Sequence, residues 1–222
     1  HGAKQESNHV FVQGSRILEQ KEWKVIELGF GLGTNFRNLL RQRKGQKLEY
    51  WAVEHQPIPA ECIEGNDLGA ELAREALLAV REHNETVVLR KEGVDLHLLP
   101  RDLFEANLPF EYFTACFHDP FGPKINPEAW TKEAFLTLKN SLTEDAVLAS
   151  YGAAGHAKRA MVAAGFYLAS GKGYGRKREI SFASKSISIP EFDNLPAFLY
   201  WLLCPELGDN ATSNSTSLIS FL

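Results

Sequence analysis

The sequence predicts an α/β protein with a mostly parallel sheet of seven strands, an antiparallel edge strand and helices on both faces. Two observations predict this class. Short apolar runs alternate with helical runs between residues 23 and 165, a pattern typical of a parallel sheet covered on both faces. The last two strand-like runs, "FYLASGKGY" and "KREISFAS", form a closing pair, which indicates an antiparallel edge.

Each element is predicted from its own stretch of sequence. The run "HVFVQ" (9–13) predicts a short edge strand, and "LGAELAREALLAVREHN" (68–84) predicts an amphipathic helix because its apolar residues recur at helical spacing. In "TVVLRKEGVDLHLLP" (86–100), Gly93 can supply the positive φ of a turn between two strands. The other predicted strands are 23–30, 48–54, 109–117 and 146–151, and the other predicted helices are 34–44, 126–142 and 154–165.

Composition bounds the size of the protein and its compartment. The chain has 222 residues, of which 44% are hydrophobic, so it can form one sizeable domain. We expect this domain at 1–185, with 1–23 as a lead-in, and a C-terminal helix and polar tail at 186–222. The three cysteines match neither a disulfide framework nor a zinc site, which favours a reducing cytoplasm and predicts no metal. No apolar run reaches the length of a membrane span.

A net charge of -4 argues against a globally basic surface for binding nucleic acid. Any RNA contact must therefore come from a local cluster of cations. The densest cationic triplet lies in "KGYGRKR" (172–178), whereas "RQRKGQK" (41–47) is more typical of a solvated helix end. The candidate RNA-binding residues are Lys124, Lys158, Arg159, Tyr174, Arg176, Lys177 and Arg178.

A glycine-rich loop, "VIELGFGLGTNF" (25–36), lies between a predicted strand and a predicted helix. Glycines let the chain turn tightly and bring a helix N-terminus to a ligand. Glu27, two residues before the first glycine, suits a cationic amino group better than a pyrophosphate. Glu54 closes the next strand, where a carboxylate can accept both ribose hydroxyls.

This order of acids and glycines favours S-adenosylmethionine over a nicotinamide dinucleotide, since Thr34 stands where the dinucleotide motif would prefer its third glycine. A purely structural role for the glycines remains the alternative. The predicted cofactor-binding residues are Glu27, Gly29, Phe30, Gly31, Gly33, Asn35, Glu54, Asp102 and Asp119.

The stretch "CFHDPFGP" (116–123) ends an apolar strand with an acid and two prolines. We predict Asp119, Pro120 and Phe121 as the catalytic residues. An amine that attacks a methyl group must aim its lone pair at the methyl carbon, so its protons need fixed acceptors. The Asp119 carboxylate and the Pro120 carbonyl can accept them, and Phe121 can stack on a planar base. The alternative is an ordinary exit from a strand into a loop.

Five stretches together resemble the methyltransferase domain of the MnmC family. They are "HVFVQGS", "ELGFGLGTNF", "HDPFGPKINPEAW", "SYGAAGHAKRAMVAAGF" and "GYGRKREIS", and they extend over about residues 9 to 184. The resemblance implies a Rossmann-like class I methyltransferase that uses S-adenosyl-L-methionine. It further implies methyl transfer to the amino group of 5-aminomethyl-(2-thio)uridine at the tRNA wobble position. The expected partners are the tRNA anticodon loop and, functionally, the enzymes that install the aminomethyl group.

The resemblance also assigns roles within the site. It implies Glu27, Gly29 and Gly31 at the methionine end of the cofactor, Glu54 at the ribose, Asp102 near the adenine and Asp119 at the reacting amine. Many family members carry a fused FAD oxidase domain, and this chain is similar to the stand-alone form. Many fused members also have glycine where this sequence has Pro120, so the predicted contact of Pro120 is less secure than that of Asp119.

Two other functions fit parts of the sequence. An aminopropyltransferase of the spermidine synthase type would explain "DPFGP", although "GRKR" would repel a polyamine. A non-catalytic RNA-binding domain would bind tRNA without transferring a methyl group. Within the site, His118 is either a proton shuttle or a hydrogen-bonded structural residue. Trp130 and Phe135 are expected to anchor a helix in the core rather than to stack on a base.

Overall fold

The structure is a computed structural model that describes residues 2–152, 154–172 and 179–186. The predictions for Tyr174, Arg176, Lys177 and Arg178, and for 187–222, lie outside the described residues. Among the helices that are described, none is both long and apolar enough to cross a membrane.

A single eight-stranded sheet has the strand order β3-β4-β2-β1-β5-β6-β8-β7. Strands β4, β2, β1, β5 and β6 are parallel, whereas β3 pairs antiparallel with β4, and β8 pairs antiparallel with β6 and β7. The fold class is confirmed, but the count of seven is one too low because antiparallel hairpins extend both edges. The strands are β1 (Trp23–Leu28), β2 (Leu48–Val53), β3 (Val87–Lys91), β4 (Val94–Leu99), β5 (Phe113–His118), β6 (Leu142–Ser150), β7 (Tyr167–Lys172) and β8 (Glu179–Ser184).

Helices cover both faces of the sheet, as predicted. One buried cluster contains Phe36 and Leu72, and a second contains Phe135 and Met161. Trp130 is also buried in the second cluster, which supports its expected role as a core anchor. The α-helices are α1 (Gly2–Ser7), α2 (Thr34–Gln42), α3 (Leu68–His83), α4 (Lys132–Ser141) and α5 (Gly155–Ala163), with short 3-10 turns at Ile17–Glu19, Ala60–Cys62, Leu103–Glu105 and Pro127–Trp130.

The predicted edge strand at 9–13 is wrong, because Asn8–Gln13 forms a π-helix that continues α1. Val10, Phe11 and Val12 are fully buried, and the Phe11 ring centroid lies 5.6 Å from that of Phe117. A short apolar run does not reveal its period, so sequence alone does not distinguish a strand from a helix buried on several sides.

The turn between β3 and β4 has the predicted positive φ at Gly93, 74°, and a second one at Glu92, 49°. Arg43, which follows α2, donates a hydrogen bond from Nη2 to the Glu92 carbonyl oxygen at 2.5 Å. The basic run 41–47 therefore lies near the amino end of β4, in agreement with a solvated helix end.

The order of the strands creates a crevice beside β1. The chain passes from β1 to β2 on one side, and after β4 it returns to β5 on the other side of β1. The loops that follow β1 and β5 therefore diverge at the carboxyl edge of the sheet, which is where open α/β sheets bind ligands. These two loops contain the glycine-rich segment and Asp119.

Candidate active site

A cleft of about 430 Å³ opens at the carboxyl ends of β1, β2, β4 and β5. We call it the cofactor cleft. Nine of the predicted site residues line it: Gly29, Phe30, Gly31, Asn35, Glu54, Asp102, Asp119, Pro120 and Phe121. The sequence therefore predicted a large part of this lining, from the segments that follow four different strands.

The glycine-rich loop packs closely against the ends of two other strands at Gly29. Gly29 has a φ of 89°, and its N–H donates to the Val53 carbonyl oxygen at 2.9 Å. A Cβ on Gly29 would lie 2.6 Å from the Asp119 carbonyl oxygen, so only glycine lets the two loops approach this closely. Gly31 has a φ of 50° and open space where a Cβ would stand, which leaves room for a ligand against the backbone. Gly33 directly precedes α2.

Glu54 fixes the conformation of this loop. Its Oε2 accepts a hydrogen bond from the Gly31 N–H at 2.9 Å, and its Oε1 accepts one from the Gln56 N–H at 2.9 Å. Both oxygens retain lone pairs, so the carboxylate can accept further hydrogen bonds from a bound ligand.

Asp102 begins the short 3-10 turn after β4. Its Oδ1 accepts from the Phe104 N–H at 3.0 Å, and its Oδ2 accepts no hydrogen bond within the described part of the chain. Phe104, which the sequence reasoning missed, lines the cleft with its side chain about half exposed (51%). An exposed aromatic residue two positions after a capping acid was the signal that could have identified it.

Glu27 lies behind the cleft rather than in it. The residue is fully buried, its Oε1 accepts from Asn35 Nδ2 at 2.7 Å, and its Oε2 accepts from the Tyr50 hydroxyl at 2.7 Å. Burial raises the pKa of this carboxyl well above its usual range. The predicted direct contact of Glu27 with a cofactor is not supported by this placement, because Asn35 stands between Glu27 and the cleft.

Asp119 is held at the mouth of the cleft from two sides. Its N–H donates to the Leu28 carbonyl oxygen at 3.0 Å, which ties it to the end of β1. Its Oδ2 accepts from Asn35 Nδ2 at 2.8 Å. Phe121 follows with an exposed ring (71%), and its carbonyl oxygen accepts from Trp130 Nε1 at 2.9 Å. This segment therefore presents an acid and an aromatic face to a ligand on an anchored backbone.

His118 is a structural residue in this arrangement. It is buried, with Nδ1 3.0 Å from the Ser150 hydroxyl and Nε2 2.9 Å from the Ala129 carbonyl oxygen. Burial lowers its pKa to about 4. Both ring nitrogens are thus occupied within the protein, and the proton-shuttle alternative is not supported.

Of the predicted RNA-binding residues that the structure describes, two are exposed and one is buried. Lys124 is exposed on the loop after Phe121, and Arg159 is exposed on α5. Lys158 is a correction, because its side chain is only 5% exposed and its Nζ lies 2.9 Å from Glu179 Oε2. A buried lysine whose ammonium group is already paired with a carboxylate does not offer a surface contact for phosphate.

The carboxylates give the cleft an acidic lining that suits a cationic ligand. Glu54, Asp102, Asp119 and Glu128 line it, whereas Arg101 is the one lysine or arginine among the described lining residues. Among the described residues, no group of three potential metal ligands is assembled. The acidic lining of the cleft therefore suits a ligand that carries an amine or a sulfonium group.

Comparison with protein families decides the class. A family described as S-adenosyl-L-methionine-dependent methyltransferase matches residues 64–186, a little over half of the chain. The chain belongs to this family. Its cofactor is accordingly S-adenosyl-L-methionine, as the sequence predicted.

Two curated proteins with similar sequences have the same description. The chain is 32% identical over 200 residues to the tRNA 5-methylaminomethyl-2-thiouridine biosynthesis bifunctional protein MnmC of Pseudomonas aeruginosa (strain UCBPP-PA14), covering 81% of this chain and 31% of that protein. The protein of the same description from Pseudomonas fluorescens is 29% identical over 225 residues, with 92% and 34% covered. The chain therefore spans about a third of the length of these relatives.

A solved structure agrees with this family. The crystal structure of MNMC2 from Aquifex aeolicus matches with a TM-score of 0.65 and 27% identity, covering 85% of this chain and 63% of that one. The structure of tRNA (m1A58) methyltransferase TrmI from Aquifex aeolicus matches with a TM-score of 0.50 and 15% identity, covering 82% and 68%, which is a likeness of fold.

Replacing Gly29 tests the contact between the two loops. We expect Gly29→Ala to lose most of its cofactor affinity and to lower the free energy of unfolding by more than the ~1–2 kcal/mol that a left-handed alanine costs, since its Cβ also meets Asp119. Gly45→Ala is the control, because Gly45 has a φ of 97° but nothing within 4 Å of its Cβ position. Calorimetric titration and thermal unfolding give the two readouts. Equal losses in both variants would contradict the proposed contact.

The low pKa of His118 predicts a pH-dependent stability. The unfolded chain binds a proton near pH 6.5, whereas the folded chain does not until about pH 4. The free energy of unfolding should therefore fall as the pH drops from 6.5 towards 4, by at most ~1.4 kcal/mol per pH unit from this group. Denaturant titrations at pH 6.5 and 5 measure the slope. The slope should flatten in His118→Gln but not in His156→Gln, where the histidine is exposed, and identical slopes in all three proteins would contradict the account.

Proposed function

We propose that the chain transfers a methyl group from S-adenosyl-L-methionine to the amino group of 5-aminomethyl-(2-thio)uridine at the wobble position of tRNA. The product is 5-methylaminomethyl-(2-thio)uridine. One observation carries the proposal: Asn35 holds the Asp119 carboxylate at the mouth of the cofactor cleft. The chain belongs to a family of S-adenosyl-L-methionine-dependent methyltransferases. The printed names of the similar proteins supply the substrate class.

The described residues suit the parts of the cofactor. The open backbone at Gly31 and the nearby Asn35 would receive the methionine end, and Glu54 would accept hydrogen bonds from the ribose hydroxyls. Asp102 Oδ2 would accept from the adenine amino group, with Phe104 beside the ring. When bound, the cofactor supplies an electrophilic methyl group on a sulfonium centre.

Asp119 would orient the substrate amine for this transfer. The amine nitrogen forms a bond to the methyl carbon as the carbon–sulfur bond breaks, and the nitrogen then loses one proton. Asp119 Oδ1 and the Pro120 carbonyl oxygen would accept hydrogen bonds from the amine and so aim its lone pair, and the carboxylate or water would receive the proton. Positioning of this kind contributes substantially to rate. The exposed Phe121 ring would stack on the uracil base.

The anticodon loop would reach the cleft past Lys124, with Arg159 and the segment 174–178 as further phosphate contacts. Because the chain has a net charge of -4, these local cations would have to provide most of the attraction for the RNA backbone. The aminomethyl group would come from a separate enzymatic activity, and tRNA as a substrate would place the reaction in the cytoplasm. We also propose residues 1–185 as the methyltransferase unit.

Removing the Asp119 carboxylate tests this assignment. We expect Asp119→Ala to lower the rate of methyl transfer by roughly a hundredfold or more while the protein stays folded, because the amine loses its positioned acceptor. Asp145→Ala is the matched control, since Asp145 is exposed in the amino-terminal half of β6. Turnover is measured with aminomethylated tRNA and labelled cofactor. A folded Asp119→Ala protein with near-normal turnover would reject the assignment.

A further inference from the structure

A buried hydrogen-bond network lies behind Asp119. Its members are Ser7, Glu27, Asn35 and Tyr50, none more than 3% exposed, and they come from α1, β1, α2 and β2. The Tyr50 hydroxyl donates to Glu27, and Asn35 Nδ2 donates both to Glu27 and to Asp119. One amide group thus connects a buried carboxylate to the carboxylate at the mouth of the cleft.

The orientation of the Asn35 amide determines whether this connection exists. If the amide were rotated by 180°, its oxygen would face two carboxylates, which have no hydrogen to donate when ionised. The two acidic groups therefore select the observed orientation, and Ser7 holds the amide in place because its hydroxyl donates to Asn35 Oδ1. The amide is therefore satisfied on both sides, as a buried polar group must be.

Ser7 is placed by the packing of the amino-terminal segment. It ends α1 and is followed directly by the π-helix Asn8–Gln13, in which Phe11 packs against Phe117 and Tyr151. On the other side, Asn38 Nδ2 of α2 donates to the Lys4 carbonyl oxygen at 3.0 Å. The segment is thus docked against α2 and near the strand that leads to Asp119, and π-helical turns are frequent at functional sites.

We propose that Ser7 and Tyr50 are positioning residues that hold Asp119 in its reactive orientation through the Asn35 amide. The amino-terminal helix is then part of the active site although it does not line the cofactor cleft. The effect on rate rests on the proposed function, whereas the effect on Asp119 itself does not.

The charges around Asp119 give the direction of the expected change. Burial is the main cause of the raised pKa of Glu27, Tyr50 and Tyr151, and the nearby Asp119 charge adds to the rise in each, as the Glu54 charge does for Glu27. In this acidic surrounding, the Asn35 N–H is a donor that favours the ionised form of Asp119. Losing that hydrogen bond raises the pKa of the Asp119 carboxyl.

The test compares Ser7→Ala with Ser15→Ala. Ser15 is a matched control because it lies in the same amino-terminal segment and is equally buried, but its hydroxyl accepts from the Ile17 N–H and does not contact the network. The pKa of Asp119 is measured by carboxyl carbon NMR, with Asp119→Asn for assignment. The rate constant for methyl transfer and the calorimetric dissociation constant of S-adenosyl-L-methionine are measured on the same proteins.

We expect Ser7→Ala to raise the pKa of Asp119 and to lower kcat by about 3- to 10-fold, the range that one hydrogen bond corresponds to, with cofactor affinity within about twofold of wild type. Tyr50→Phe should also lower kcat, and Ser15→Ala should change neither the pKa of Asp119 nor kcat. An unchanged Asp119 pKa in Ser7→Ala would overturn the proposal, even if the rate fell. A raised pKa in a protein that methylates no tRNA would support the network and reject the proposed function.

Discussion

The active site depends on how the protein satisfies the buried carboxyl group of Glu27. A carboxyl group removed from water is costly unless each oxygen has a hydrogen-bond partner. Tyr50 and Asn35 are those partners, and they fix the end of β1 to β2 and to α2. The second hydrogen bond from Asn35 then reaches Asp119. The requirement to satisfy one buried acid therefore also places the acid at the mouth of the cofactor cleft.

The binding site is formed by the loops at the carboxyl edge of the sheet. Gly29 allows the loops after β1 and β5 to come within contact distance, and Glu54 holds the Gly31 backbone from β2. Four carboxylates then line the cleft, against one arginine among the described lining residues, and this charge balance suits a sulfonium donor and the proposed amine acceptor together.

The sequence predicted the parts of the site that follow from local pattern. Gly29, Glu54 and Asp119 each directly follow a strand, and Asp102 lies three residues after one. A doubly wound sheet brings the carboxyl ends of its strands together, so the proximity of these residues could be inferred. Ser7 and Tyr50 could not be inferred in this way, because each meets its partner across 28 or 23 residues and neither stands in a recognisable motif. The same limit explains Lys158, whose partner Glu179 belongs to the next but one element, and the helical segment at 9–13, whose apolar run carries no period.

In the function proposed above, the acidic cleft methylates an amine presented by tRNA. The most direct measurement is incorporation of label from S-adenosyl-L-methionine into two preparations of the same tRNA, one carrying the 5-aminomethyl group at the wobble uridine and one lacking it, with a free polyamine as a third acceptor. We expect stoichiometric incorporation into the first tRNA, at the wobble nucleoside, and none into the second tRNA or the polyamine. Equal incorporation into both tRNAs, or binding of tRNA without any incorporation, would contradict it.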